Sequence, residues 1–320
     1  FIKTAIRQIQ DQVKDKQVLL GLSGGVDSAV AALLLREQGY NCFGTTMKLC
    51  RPGESEREAQ AERDIADARA VADAIGLRHT AVDLSERFEE TVIADFVSAY
   101  EHGETPCPCV LCNKVIKFGA LLDAALEFFG GTVDVILHNA GVISTYDFLV
   151  IEPEEVERLF NINVLGVSHM LQEGMKQMLK QGHGNIVTIS SIAGRTNMGL
   201  LQHYCATKAA VISLTQAAAK KGAPHGIRVN SVAPGIIRTN MWEEILDGMA
   251  TGWQGTEGGR TAISPEERER NWNNSIKDLI PMGQAQTEDD IAYGVLFISS
   301  DLAKTITGQV LTIDGGCTMV

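Results

Sequence analysis

Tyr204 and Lys208 stand four positions apart, so on a helix they share one face. A phenol beside an ammonium is a proton-transfer pair, because the cation lowers the phenol pKa towards neutrality. Ser191, thirteen positions before Tyr204, follows an apolar strand pattern and can hydrogen-bond a carbonyl oxygen. Taken alone, Tyr-x-x-x-Lys is as readily surface decoration. Its company argues otherwise: Asn139-Ala140-Gly141 follows the strand pattern Val133 to Leu137, and Asn163 lies in a helical pattern. Ile189-Ser190-Ser191-Ile192-Ala193-Gly194, Pro234-Gly235-Ile236-Ile237-Arg238-Thr239 and Asp314-Gly315-Gly316 complete the set.

Two further constellations carry different chemistry. Ser23-Gly24-Gly25-Val26-Asp27-Ser28 follows a strand pattern and opens a helix, which suits a phosphate cradle: glycines let backbone N–H groups approach an anion, and the helix dipole favours it. The plainer alternative is a tight turn with an Asp or Ser helix cap. Cys107, Cys109 and Cys112 place three sulfurs within six positions. They suit a metal, a redox pair or one low-pKa thiolate. No fourth ligand is flagged by spacing, so no metal site is assigned.

The elements that must position these groups alternate. Strand patterns at Gln17 to Leu22, Asn41 to Lys48, His79 to Leu84, Val133 to Leu137, Asn185 to Ser190, Ile227 to Val232 and Gln309 to Ile313 are separated by helical ones. The expected fold is α/β, a doubly wound, Rossmann-like parallel sheet. Helices are expected at about Glu56 to Ile75, Phe88 to Tyr100, Ile116 to Phe128, Pro153 to Lys180 and Tyr204 to Lys221, and near Met241 and Glu288. The Gly-rich segment Thr251 to Pro265 reads as a loop.

Charge and composition exclude some functions. There are 28 Lys+Arg against 40 Asp+Glu, and residues 1–130 and 131–320 each carry 14 basic and 20 acidic side chains. With no basic half or tail, a dedicated nucleic-acid or anionic-membrane surface is not expected. No apolar run approaches the roughly 18 residues that would cross a bilayer. Seven cysteines in a chain of this length do not read as a disulfide scaffold. With no signal-peptide pattern at Phe1, a cytoplasmic location is expected.

The strings quoted above resemble two families. Ser23 to Ser28 resembles the PP-loop of ATP pyrophosphatases. Phe1 to Asp27 is similar to GMP synthetases, and from there to about Phe128 the segments GYNCFGTTMKLC and TPCPCVLCNKVIKFGALLDAALE are similar to tRNA-specific 2-thiouridylases. That resemblance implies ATP phosphates on the loop, adenine near Met47 and a persulfide on Cys112. The family's second catalytic cysteine and its tRNA-binding segments have no counterpart here, so neither complete thiolation nor tRNA as a partner is expected.

From about Thr132 to Val320 the chain resembles the short-chain dehydrogenase/reductase family. The resemblance implies Tyr204 as general acid/base, Lys208 on the nicotinamide ribose, Ser191 on the substrate carbonyl and Asn163 supporting a proton-relay water. Asn139, Ala140, Gly141, Pro234, Gly235, Ile237 and Thr239 would contact an NAD or NADP cofactor. The segment RTNMWEEI is similar to members that oxidise polyols, diols or acetoin-like substrates. Dimers or tetramers are implied. His138 replaces that family's usual Asn, and its TGxxxGxG fingerprint is missing, with SGGVDS in its place.

Two parts are therefore expected, 1–130 and 131–320, packed on one hybrid sheet with strand 133–137 beside strand 17–22. The expected function is an NAD(P)-dependent alcohol/ketone oxidoreductase. An ATP-binding, adenylating PP-loop protein is the alternative, and a folded but inert engineered chimera is the third account.

Overall fold

The computed structural model describes residues 17–21, 41–49, 55–74, 76–102, 116, 119–199, 201–251 and 263–319. Its strands are β1 (Gln17–Gly21), β2 (Asn41–Lys48), β3 (Arg78–Asp83), β4 (Val135–His138), β5 (Gly184–Ile189), β6 (Ile227–Pro234) and β7 (Val310–Ile313). They form one parallel sheet in the order β3-β2-β1-β4-β5-β6-β7. The order reverses between β1 and β4, where Val18 faces Val135 and Leu19 faces Ile136. The strand from the first part thus hydrogen-bonds directly beside the strand from the second.

Parallel strands need crossovers, and helices supply them. Ser55–Ala74 links β2 to β3, Gly166–Gln181 links β4 to β5, and Gln202–Gly222 links β5 to β6. Central strands read as nearly continuous apolar runs because both faces are covered. In β5 the residues Asn185, Ile186, Val187 and Thr188 are all buried. One face carries the main core, in which Leu122, Ala125 and Phe129 pack with Ile136, Met170, Ile186 and Val229. The helix Leu121–Phe129 therefore shares a core with strands on the far side of the seam. On the other face Val187 and Val232 pack with Val295 and Ile298 of the helix Glu288–Ser299.

Three helical expectations are refined. The stretch 153–180 divides into Pro153–Phe160, a π-helical turn Asn161–Leu165 and Gly166–Gln181. The stretch 88–100 carries a similar turn at Glu89–Ile93. A helix at Pro265–Leu279, absent from the sequence reading, is started by Ser264, whose hydroxyl accepts from the Glu267 N–H at 3.1 Å. Among the described residues no helix is long and apolar enough to cross a membrane.

Candidate active site

All strands run the same way, so their C-terminal ends lie on one edge of the sheet, where ligands of such folds bind. A cleft of about 1950 Å³ opens there. Its wall runs from Thr45 and Met47 on β2, past Asn139, Ala140 and Gly141 after β4, to Ser191, Tyr204 and Lys208.

Ser191 leaves β5 in extended backbone and caps the short turn Ile192–Gly194, its hydroxyl accepting from the Ala193 N–H at 3.2 Å. The turn aims the chain into the helix Gln202–Gly222, whose first turns carry Tyr204 and Lys208. The helix lies hard against this turn, for a Cβ added to Gly194 would come within 2.7 Å of the Lys208 backbone carbonyl. Lys208 Nζ donates to the Ile189 carbonyl at 3.1 Å and stands 5.6 Å from the Tyr204 ring centroid. Ser191, Tyr204 and Lys208 thus meet on one wall.

The electrostatics differ from the expectation for the phenol. Burial pushes the Tyr204 pKa up to about 12, against a hydrogen bond with Ser191 that works to lower it. Burial likewise lowers Lys208 to about 8. Loss of hydration sets the direction for the phenol here, away from neutrality. His138 beside them is buried, and burial and then the Lys208 charge lower it to about 4.

Asn163 sits in the π-turn and is buried. Its Oδ1 accepts from Val142 N–H at 2.9 Å, while Nδ2 donates to the Val142 carbonyl at 2.8 Å and to Thr207 Oγ1 at 3.0 Å. The side chain ties the loop after β4 to the Tyr204 helix. Gly141 has no room for a side chain on that loop without crowding Lys208 Nζ, 3.1 Å from an added Cβ.

After β6, Pro234 and Gly235 lead to Ile237 and Thr239. Gln286, which the sequence reading missed, holds this segment: its Oε1 accepts from Ile236 N–H at 2.9 Å, and its backbone N–H reaches the Ile236 carbonyl at 3.0 Å. No motif announces Gln286, fifty positions from its partner. Met241 and Trp242, also unassigned from sequence, line the cleft, and Met241 Sδ stands 3.9 Å from Tyr204 Oη.

A family model described as enoyl-(acyl carrier protein) reductase matches residues 68–318. The chain belongs to the short-chain dehydrogenase/reductase family. Among its relatives are galactitol 2-dehydrogenase of Agrobacterium fabrum, 33% identical over 64% of this chain and 75% of that one, and diacetyl reductase [(S)-acetoin forming] of Staphylococcus epidermidis, 38% identical over 60% and 70%. A crystal structure of a short-chain type dehydrogenase/reductase from Mycobacterium marinum matches with a TM-score of 0.69 at 25% identity, over 98% of this chain and 100% of that one.

This short-chain dehydrogenase/reductase also carries a second likeness. An asparagine synthase model matches residues 6–117, and tRNA-specific 2-thiouridylase of Rhodospirillum rubrum is 49% identical over 36% of this chain. The chain spans about a third of that relative's length, 32%. Met47 does line the cleft, beside the buried Thr45, whose Oγ1 has no hydrogen-bond partner. Ser23, Gly24, Gly25, Val26, Asp27, Ser28 and Cys107, Cys109 and Cys112 lie outside the described residues.

Proposed function

We propose that the chain transfers hydride between NAD(P) and a small secondary alcohol or ketone of the polyol, diol or acetoin type. The observation that carries this is the meeting of Ser191, Tyr204 and Lys208 on one cleft wall, with Lys208 held on the Ile189 carbonyl at 3.1 Å and 5.6 Å from the Tyr204 ring centroid.

The residues fit a nicotinamide dinucleotide at this end of the cleft. Gly141 leaves space beside Lys208 Nζ, and Lys208 spends one of its three N–H groups on Ile189. Asn139, Ala140, Gly141, Pro234, Gly235, Ile237 and Thr239 would hold the dinucleotide, with Lys208 on its ribose. The bound cofactor supplies the hydride acceptor or donor. Ser191 orients the substrate oxygen, and Tyr204 gives that oxygen its proton in ketone reduction or takes it in alcohol oxidation. Asn163 fixes the loop beneath and supports the proton-relay water. A phenol held near 12 stays protonated at neutral pH, the form that reduction needs, so oxidation, which needs the phenolate, rises towards alkaline pH. A dimer or tetramer belongs to the same reading.

The test is cofactor reduction with a diol panel. Tyr204→Phe is expected to lower kcat at least about 100-fold while NAD(P) still raises the melting temperature. Full diol oxidation by that variant would remove Tyr204 from the mechanism. The ATP-binding alternative is favoured by the thiouridylase likeness at 49% identity. It prevails if ATP stabilises the protein and neither NAD nor NADP does.

A further inference from the structure

The polar groups of the cleft are unevenly placed around Tyr204. The Tyr204 hydroxyl points at the Met241 thioether, 3.9 Å away, with Ser191 on the same wall. Ile143, Ala193, Trp242 and Ile245 are buried in one apolar cluster with Tyr204, and all of them line the cleft. Met198 and Met249 pack against the same cluster and line it too.

The two arginines on this side are engaged with carboxylates. Arg238 pairs with Glu243 at 3.4 Å and Glu269 at 2.7 Å, and Arg158 pairs with Glu155 at 2.7 Å, with Glu244 in its field. Asn197 and Asn240, at the rim of the same cleft, are exposed to solvent.

Resting on the oxidoreductase reading, we propose that the substrate is a secondary alcohol or ketone with an alkyl flank, a short diol or hydroxyketone ending in hydrocarbon, and not a polyol hydroxylated at every carbon. In oxidation the alcohol would give its hydroxyl proton to the Tyr204 phenolate and its carbinol hydride to the oxidised dinucleotide, leaving the ketone. Ser191 and Tyr204 serve that one oxygen. A further hydroxyl placed against Met241, Ile143 or Ile245 gives up its water and gains at most a thioether, a weak acceptor. A methyl or methylene placed there gains apolar burial, and flexible thioethers adapt to its length.

The experiment uses the whole chain. Values of kcat/KM are measured for 2,3-butanediol, 2,3-hexanediol and galactitol with NAD and with NADP. In parallel, quenching of tryptophan fluorescence by the same three compounds is titrated without cofactor. The expected result is a gain of about fourfold per added methylene and a deficit of about tenfold or more for galactitol, in both measurements. Met241→Gln, which offers an amide in similar volume, is expected to narrow the galactitol deficit. Galactitol binding or reacting as well as the diols overturns the proposal. If no compound reduces either cofactor but the titration keeps the alkyl preference, the oxidoreductase reading falls and the pocket's preference for an alkyl flank stands.

Discussion

His138 and Lys208 are two buried bases beside one another in the same site. Burial first, and then the Lys208 charge, holds His138 at about 4 in the folded chain, against 6.5 when exposed. The folded state therefore binds fewer protons than the unfolded state between those values. The stability is fully present above about 6.5 and is lost as pH falls towards 4, by about 3 kcal/mol in all. His79 is lowered in the same direction by burial, so a variant is needed to isolate His138. We expect His138→Asn to lose about 2 kcal/mol less than the parent between about pH 7 and about pH 4.5, as read by urea unfolding at the two pH values. Equal losses would show that His138 is not held neutral by its surroundings.

At the scale of elements, the decisive contact is the crossing of the helix Gln202–Gly222 over the turn Ile192–Gly194. Ser191 hangs on the turn and Tyr204 and Lys208 on the helix, so their separation is set by how closely the two backbones approach. At Gly194 an added Cβ would meet the Lys208 carbon and oxygen, both at 2.7 Å and both backbone, so no side chain can swing aside. Gly194→Ala must push the helix away. The expected outcome is a fall in kcat of about 10²-fold with a smaller change in the cofactor-induced melting shift, because misplacement by an ångström acts mainly on the reacting geometry. An unchanged kcat would mean that the helix carries its residues independently of the turn.

For the whole molecule, the joint between β1 and β4 is the critical feature. Leu122, Ala125 and Phe129 lie in the core that also holds Ile136, Met178 and Ile186, so the first part contributes side chains to the second part's interior. We therefore expect the two parts to unfold together. Phe129→Ala should cost about 3–5 kcal/mol and lower the midpoint seen by both Trp242 fluorescence and a probe on the helix Ser55–Ala74. Separate midpoints for the two probes would argue for parts that melt independently.

Much of this was legible in one dimension. The alternation of strand and helix follows from local apolar period and turn residues, so the strands were found within a residue or two and the α/β class followed. Tyr204 and Lys208 were legible because four positions on a helix fix a shared face. Ser191 was found because of the motif strings around it. The broken helix at Asn161–Leu165 was not legible, since a π-turn leaves the apolar period nearly intact. The family match reaches back to residue 68, although the dehydrogenase motifs begin only near Thr132. Buried strands and crossover helices share one pattern in both families, so composition could not locate the boundary by itself.

By itself, then, the sequence determined the strand-and-helix order, singled out Ser191, Tyr204 and Lys208 as one group and carried two family likenesses. Tertiary structure bore out the expected pairing of β1 beside β4, and alone decided that Gln286 holds the loop after β6 and that Met241 stands beside the phenol with Trp242 in the same apolar cluster. It also reversed the direction expected for the Tyr204 pKa. The physical reason is common to all four. Pairing across the seam, long-range hydrogen bonds and burial depend on which distant residues meet, and hydration is lost only when they do.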